Sequence, residues 1–572
     1  MTDGASASAS AGLAAWWMRV RRVDYWIAGL RPYFVLSLLV FFTAVPGIFK
    51  LAPVDRDEAR FMQATKQMVE TGDFAHILFQ DVLRDRKPPG THWVQAAAVK
   101  AFAGGKPDVI AAYRVPGVIA VWLAVLATFA TGRAVAGPKT GLLAGIVLAT
   151  SALVAIEAHL AKADALLFGL SAVCFGVTML AYTRAPGKPL PLPLAAAFWS
   201  ALGFSVLIKG PVLVIVFVTA VIGIAIADHG AKWIANLRPA PGIFLAAGVI
   251  AIWPLVTGWD EAARLAATAV REDLLPKLAG ARESHGAPPG SHALATMVTF
   301  WPWAATLPLI AWNAWTQRDR PAVRYCLAWL IPFWLLLELT PTKLPHYVLP
   351  VFPALALLAA VSIEIPLSKA PRTVRALGYT AVSIHVAIAL LVLAGFAAVN
   401  ASGYLNTIPI GGAMALAVTA AAGVPLARWG IQVAVWRVAL CIAIIFSVLF
   451  GSVLPQIGAL NVSRRLADVI AAQDSALPAV LVGYHEPSAV FLLGTDTKLT
   501  GSAEAVAALV EGRAEVVAIS QENLIAVLAG VESAGKNLTR IAEISGYNYG
   551  RGAQVTLIVL RVQSTGGPAD NE

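Results

Sequence analysis

The chain has 572 residues, 58% of them hydrophobic and only 13% charged, with a mean hydropathy of +0.71 and a net charge of +10. Soluble proteins carry about 25% charged residues, so this composition argues against a soluble globular chain and for a polytopic membrane protein. The positive balance fits basic cytoplasmic loops and contact with anionic lipid rather than nucleic acid. The three cysteines, Cys174, Cys326 and Cys441, lie in apolar runs and imply neither a disulfide framework nor a zinc site.

Residues 2–14 are low-complexity, and the basic stretch RVRRVDYW that follows should hold the N-terminal segment, 1–32, in the cytoplasm. Apolar length and turn punctuation then predict thirteen spans within 33–456. They fall near 33–51, 114–132, 140–158, 165–182, 193–208, 211–228, 241–258, 296–314, 324–340, 346–362, 376–399, 408–427 and 438–455. The run 91–103, THWVQAAAVKAFA, is too short to cross and carries His92 and Lys100, so it is expected as an interfacial or re-entrant helix on the outer side. With the N-terminus inside, the short inner links hold most of the Arg and Lys residues, among them Arg133, Arg184, Arg238, Arg318, Arg372 and Arg428. The short outer links hold only Lys162, Lys209 and Lys343, which is the bias the positive-inside rule requires. Two long outer loops are expected, about 52–113 and 259–295. Beyond the spans, 457–563 reads as a small α/β domain on the periplasmic side. In it AVLVGY, AEVVAISQ and AQVTLIVLRV have strand character, and SRRLADVIAAQ, SAEAVAALVEG and ENLIAVLAGVESAG have helix character. Residues 564–572 read as a tail, and no internal repeat is evident.

Once the inner charges are set aside, a group of outer-side ionisable residues remains, several at the ends of spans. An unpaired charge near a helix centre costs about 2.5–3.5 kcal/mol on insertion scales, so such residues usually face a wet cavity or a partner. Snorkelling to the headgroups accounts for one or two lysines. It accounts less well for lysines that stand beside Pro, Gly or Asp in AKADALL, LIKGP and TPTKLPHY. In VDRDEAR, Asp55-x-x-Glu58 has the spacing of a capping box for a helix ending near Gly72, a reading that leaves Asp57 without a structural task. DRKPPG reads as a turn, Glu157 as a helix-end carboxylate paired with Lys162, and His285 as a solvated loop histidine.

DEARFMQATKQMVETGDF, RKPPGTHWVQA, YRVPG, AHLAKADALL, SVLIKGPV, REDLLPKL and TKLPHYVLPVFPALALL follow one another in order. No single one is specific, but the ordered set, covering about residues 30–362, resembles the lipid-linked-sugar glycosyltransferases of the aminoarabinose transferase (ArnT) type, relatives of the protein O-mannosyltransferases. The resemblance implies an α-helical GT-C fold, a sugar donor carried on polyprenyl phosphate, and transfer at the periplasmic face of a bacterial inner membrane. The implied acceptor is lipid A, lipopolysaccharide or another envelope glycolipid, with the protein acting as a monomer. By position in the motifs, it implies Asp57 and Asp164 as catalytic carboxylates. It places Glu58, Arg86, Lys87, His159, Lys162, Lys277, Lys343, His346 and Tyr347 around the substrates, with Lys87, Lys277 and Lys343 stabilising the departing phosphate.

Two positions depart from the family pattern. Arg86 stands where the family commonly has Glu, a proposed metal ligand. That puts a divalent metal in doubt and leaves His285 as a weak candidate ligand. His159 stands where Arg is usual. Both changes suit a different donor sugar or acceptor; an acidic sugar would match Arg86, and galacturonosyltransferases acting on lipopolysaccharide core and lipid A are one such group. A protein O-mannosyltransferase and a polytopic transporter or lipid flippase are the alternatives. A transporter would be expected to place ionisable groups near mid-membrane beside paired broken helices.

Overall fold

A computed structural model describes residues 23–84, 87–276, 286–380 and 431–563, with 383 and 387 as isolated positions. In an apolar solvent each backbone N–H and C=O must be satisfied within its own segment, so long apolar runs become helices. Seven described helices are long and apolar enough to cross a membrane: Ile110–Ala136, Ala163–Thr183, Leu192–Lys209, Pro239–Thr257, Pro321–Leu339, Pro345–Ile363 and Val435–Gln456. Two shorter apolar helices, Arg31–Ala44 and Val212–Asp228, and two bent pairs join them among the described residues. Together these elements coincide with all the expected spans except 376–399 and 408–427, which lie largely or wholly outside the described residues.

The sequence predicts two straight spans where the bent pairs occur. Pro138–Ala149 and Ala152–Ala158 meet at 60°, and Ser291–Thr299 and Trp303–Thr316 at 119°. The two breaks face each other: Ala152 N donates to Trp301 O at 2.9 Å, and Trp303 Nε1 donates to Thr150 Oγ1 at 2.9 Å. Each break thus satisfies polar groups freed by the other, the condition under which irregular backbone survives inside a bilayer. Hydropathy cannot register this, because both halves of each pair are equally apolar.

The connection after Arg31–Ala44 is an ordered layer. It holds the helix Asp57–Thr71, a two-residue hairpin of β1 (Leu78–Phe79) and β2 (Val82–Leu83), and the helix Gly90–Phe102. Gly72 closes the first helix at φ 74°, donating to Met68 O, as the sequence predicts. Gly90 packs so closely on Leu192–Lys209 that a Cβ there would sit 2.6 Å from Leu207 O. A buried polar chain joins the layer to the bundle. Thr65 Oγ1 donates to Gln95 Oε1 at 2.8 Å, and Gln95 Nε2 donates to Ala161 O at 2.8 Å. With its proton so used, Thr65 Oγ1 accepts from His92 Nδ1, also at 2.8 Å. Burial, followed by the nearby Arg84, pushes His92 down to about 3, so its ring is neutral.

The last described segment folds as an α/β domain on a five-stranded sheet. The strands are β3 (Val480–Val482), β4 (Lys498–Thr500), β5 (Val516–Ser520), β6 (Leu538–Asn548) and β7 (Ala553–Val562). Their order is β4-β3-β5-β7-β6, with β3 parallel to β4 and β5, and β7 antiparallel to β5 and β6. The strand and helix segments expected here all form. β4, β6 and the helix Pro487–Leu493 were not foreseen. β6 hides because its alternation slips at a bulge between Arg540 and Ala542 and because its exposed edge is charged.

Candidate active site

The helix Asp57–Thr71 opens without a side-chain cap, which corrects the capping-box reading. Asp55 Oδ1 accepts instead from Ser488 N, at 3.0 Å, in the C-terminal domain. Glu58 turns inward. Its Oε1 accepts from Arg114 Nε and Ala161 N, both at 2.8 Å; its Oε2 accepts from Arg114 Nη2 at 2.9 Å and Val54 N at 2.7 Å. Both oxygens are occupied and the residue is 1% exposed, so Glu58 anchors the loop and has no free face for substrate. Arg114, wholly buried, also donates to Ile48 O, Leu51 O and Ala52 O. The YRVPG motif therefore supplies a staple for the loop.

Between the two anchors, Arg56 sits at φ 66°, ψ −85°, a conformation that costs a non-glycine residue about 1–3 kcal/mol and persists only where its surroundings impose it. Asp57 follows it, exposed, at the first position of the helix. Among the described residues no hydrogen bond or ion pair holds its carboxylate, and its charge acts on Arg84, Lys162 and His346.

A second cluster forms where several span ends meet. Lys162 Nζ lies 3.1 Å from Glu157 Oε1 and 3.5 Å from Asp164 Oδ2. Burial penalises the Lys162 ammonium, but Glu157 and Asp164 outweigh it and raise its pKa. Asp164 Oδ1 also pairs with Lys209, and His346 Nε2 lies 3.7 Å from the same oxygen. Lys209 is the last residue of its helix; Gly210, at φ 65°, makes the turn that leaves the ammonium at the helix end, 5.5 Å from the centre of the Tyr347 ring.

A cavity of about 210 Å³ opens beside this cluster. Lys87, Asp164, Lys209, His346 and Tyr347 supply its ionisable residues, Thr340 and Thr342 add hydroxyls, and Leu167, Val212, Ile215, Phe333, Leu336 and Leu337 line its apolar part. Asp164, Lys87, His346 and Tyr347 thus come together, with Lys162 directly behind Asp164.

Other expected site residues do not. Lys343 folds back and donates to Leu337 O, Glu338 O and Thr340 O, satisfying the open carbonyls at the end of Pro321–Leu339. Its ammonium caps a helix instead of facing the cavity. His159 is buried with both ring nitrogens 2.7 Å from carbonyl oxygens, of Ala155 and Pro46, and it stacks on Phe450. It secures the end of a broken span. Lys343→Ala is therefore expected to lower the melting temperature of the solubilised protein by the loss of about 1–3 kcal/mol while leaving donor affinity unchanged; a fall in donor affinity with unchanged melting would contradict the capping role. Arg86, Lys277 and His285 lie outside the described residues.

Sequence reasoning missed three participants. Lys209 stood in the outer charge set, but nothing in LIKGP marks which way its ammonium turns. Glu157 read as the local partner of Lys162 and in fact also lies 4.0 Å from His346 Nδ1. Arg84 lies 5.7 Å from the Phe61 ring centre, and its buried Nη1 has no hydrogen-bond partner among the described residues. Burial, then the like charge of Arg60, pushes the Arg84 guanidinium down to about 10, against the opposing charge of Asp57.

Asp55 carries a pH dependence. Burial, opposed by the Ser488 hydrogen bond and helped by Glu486, pushes its carboxyl up from 3.8 to about 6. The folded state therefore binds the proton more tightly. The stabilisation is full below about 3.8 and is lost as pH rises through about 6. Asp55→Asn keeps an acceptor for Ser488 N without the charge. It is expected to raise the melting temperature at pH 8 and leave it unchanged at pH 4; equal shifts at both would contradict this.

The resemblance raised a metal site, and the sequence bears on it at one position. A guanidinium stands at position 86 where a carboxylate would ligate, and among the described residues no three His, Cys, Asp or Glu side chains converge as a metal-binding group.

No protein-family model matches the chain. It is similar to the undecaprenyl phosphate-α-4-amino-4-deoxy-L-arabinose arabinosyl transferases of Edwardsiella ictaluri, 26% identical over 343 residues, and Pseudomonas paraeruginosa, 25% identical over 327 residues. These matches cover 59% and 54% of this chain, and the chain spans 60% and 57% of the length of those relatives. In structure it resembles ArnT from Cupriavidus metallidurans. The crystal structure bound to undecaprenyl phosphate superposes with a TM-score of 0.74 at 16% identity, over 95% of this chain and 100% of that one. The apo structure gives 0.72 at 18% identity, over 94% and 98%. The fold is thus a GT-C fold with a small α/β domain after the spans, in a multi-pass membrane protein. Within that class the similarities in sequence and in fold both run to ArnT transferases.

Proposed function

We propose that the chain is an integral-membrane glycosyltransferase that takes a sugar from a polyprenyl phosphate and passes it to an envelope glycolipid of the lipid A or lipopolysaccharide type. Transfer would occur at the periplasmic face of a bacterial inner membrane, with the N-terminus in the cytoplasm and the C-terminal domain outside. The observation that carries the reading is the cavity: an apolar wall suited to an isoprenoid chain meets Lys87, Lys209 and Tyr347, suited to a phosphate.

In the reaction the acceptor oxygen forms a bond to C1 of the sugar while the C1–O bond to phosphate breaks. The bonding electron pair stays on the phosphate oxygen. That leaving group is anionic, so its departure calls for positive charge more than for a proton. Lys87 and Lys209 supply the charge, and Tyr347 offers a hydroxyl donor. Asp164 is committed to Lys162 and Lys209, so its task is to hold the lysines and their field in place. Asp57, without such ties among the described residues, is the carboxylate available to take the proton of an acceptor hydroxyl. If the acceptor is a phosphate, already ionised, Asp57 orients it or the sugar instead.

The two broken spans are the feature a transporter reading would use, but no ionisable side chain stands at Thr150–Ser151 or Phe300–Pro302. Lys87→Ala is expected to weaken binding of a polyprenyl-phosphate donor by about tenfold or more, the scale of a charge-assisted hydrogen bond. Binding measured on detergent-solubilised protein checks this, and unchanged affinity would remove Lys87 from the phosphate site.

A further inference from the structure

The C-terminal domain does more than follow the bundle. The helix Pro487–Leu493 and the turn between β6 and β7 close on the loop that precedes Asp57. Ser488 N donates to the Asp55 carboxylate at 3.0 Å, and Asp55 N donates to Tyr549 Oη at 2.8 Å, so the domain holds both the side chain and the backbone of one residue. The grip is itself built. Asn548 Nδ2 donates to Glu486 Oε1 at 2.8 Å, and Arg551 N donates to Asn548 Oδ1 at 3.0 Å, which fixes the turn carrying Tyr549. At Gly550 an added Cβ would lie 3.2 Å from Arg56 Nε, so the turn rests directly against the residue with the unusual backbone. On the other side of Asp57, Glu58 is fixed by Arg114. Asp57 thus stands between a membrane-side anchor one residue after it and a domain-side anchor two residues before it.

We propose that Asp55, Ser488 and Tyr549 form a positioning clasp through which the C-terminal domain sets the orientation of Asp57, making that domain part of the catalytic apparatus. The inference rests on the proposed role of Asp57. Other contacts dock the same domain farther away. Gln80 Nε2 donates to Thr495 O and Thr497 O, Gln63 Nε2 donates to Thr495 Oγ1, and Lys66 Nζ donates to Phe491 O. Docking and clasping can therefore be separated by mutation.

The test uses the full-length protein. Asp55→Ala and Tyr549→Phe are expected to lower kcat by about tenfold to hundredfold, the cost of a small misplacement of a reacting group, with KM for the donor unchanged. Amide hydrogen exchange should quicken by about tenfold within residues 54–59 and not across 462–562. Asp55→Asn, which keeps an acceptor for Ser488 N, should restore both readouts. Gln80→Ala, which removes docking bonds away from the loop, should leave kcat unchanged. Wild-type kcat in both Asp55→Ala and Tyr549→Phe overturns the clasp, as does an equal loss in Gln80→Ala. If the wild-type protein transfers no sugar, the functional reading has failed separately and the exchange measurement decides: faster exchange confined to 54–59 upholds the clasp, and unchanged exchange overturns it.

Discussion

Asp57→Asn is expected to abolish sugar transfer, lowering kcat by about 10²–10⁴-fold, the range typical of a lost general base, in a protein that inserts and melts like the wild type. The separation follows from how Asp57 is placed. It is exposed, and among the described residues it makes no hydrogen bond or ion pair, so an isosteric amide disturbs no described contact of the fold. What the change removes is a charge that acts on Arg84, Lys162 and His346. Asp164→Asn should behave differently: it loosens Lys162 and Lys209 together, so donor affinity and turnover fall at once. Turnover of Asp57→Asn at the wild-type rate would sink the assignment of Asp57.

Arg114→Ala should be the most damaging single change to the fold. The guanidinium is 0% exposed and joins Glu58 to three loop carbonyls. Its removal leaves a buried carboxylate uncompensated, which costs about 3–5 kcal/mol, and opens the carbonyls of Ile48, Leu51 and Ala52. A large drop in melting temperature, or failure to recover folded protein, is the expected result. A second change, Glu58→Leu, on the same background should recover part of the loss, because the stranded charge disappears while the open carbonyls remain. Melting of Arg114→Ala at the wild-type temperature would mean that the pair contributes nothing to holding the loop.

The sequence made the spans legible because apolar length alone decides them, and it marked the C-terminal domain because its strands and helices change period. It could not reveal the two breaks, since hydropathy averages over Thr150–Ser151 and Phe300–Pro302. In the site, ordered motifs brought Asp57, Lys87, Asp164, His346 and Tyr347 into view. Motif order could not tell which cations face the cavity. Lys343 and Lys209 look alike on paper, each a lysine at a span end beside a proline or glycine. One bends back to cap its neighbour's carbonyls, while the other is held forward by Asp164. Likewise Glu58 sits next to Asp57 in the sequence, yet a helix turns adjacent residues about 100° apart, which sends one to Arg114 and the other to the surface. The grip on Asp55 joins residues more than four hundred positions apart, beyond anything local patterning carries.

The central claim is that this chain moves a sugar from a polyprenyl phosphate to an envelope glycolipid. Mass spectrometry of envelope lipids tests it most directly, comparing a strain lacking the protein with the same strain complemented by the wild type or by Asp57→Asn. Loss of one pendant sugar from lipid A or core, restored by the wild type and not by Asp57→Asn, is the expected result. An unchanged glycolipid profile in the strain lacking the protein would contradict the claim.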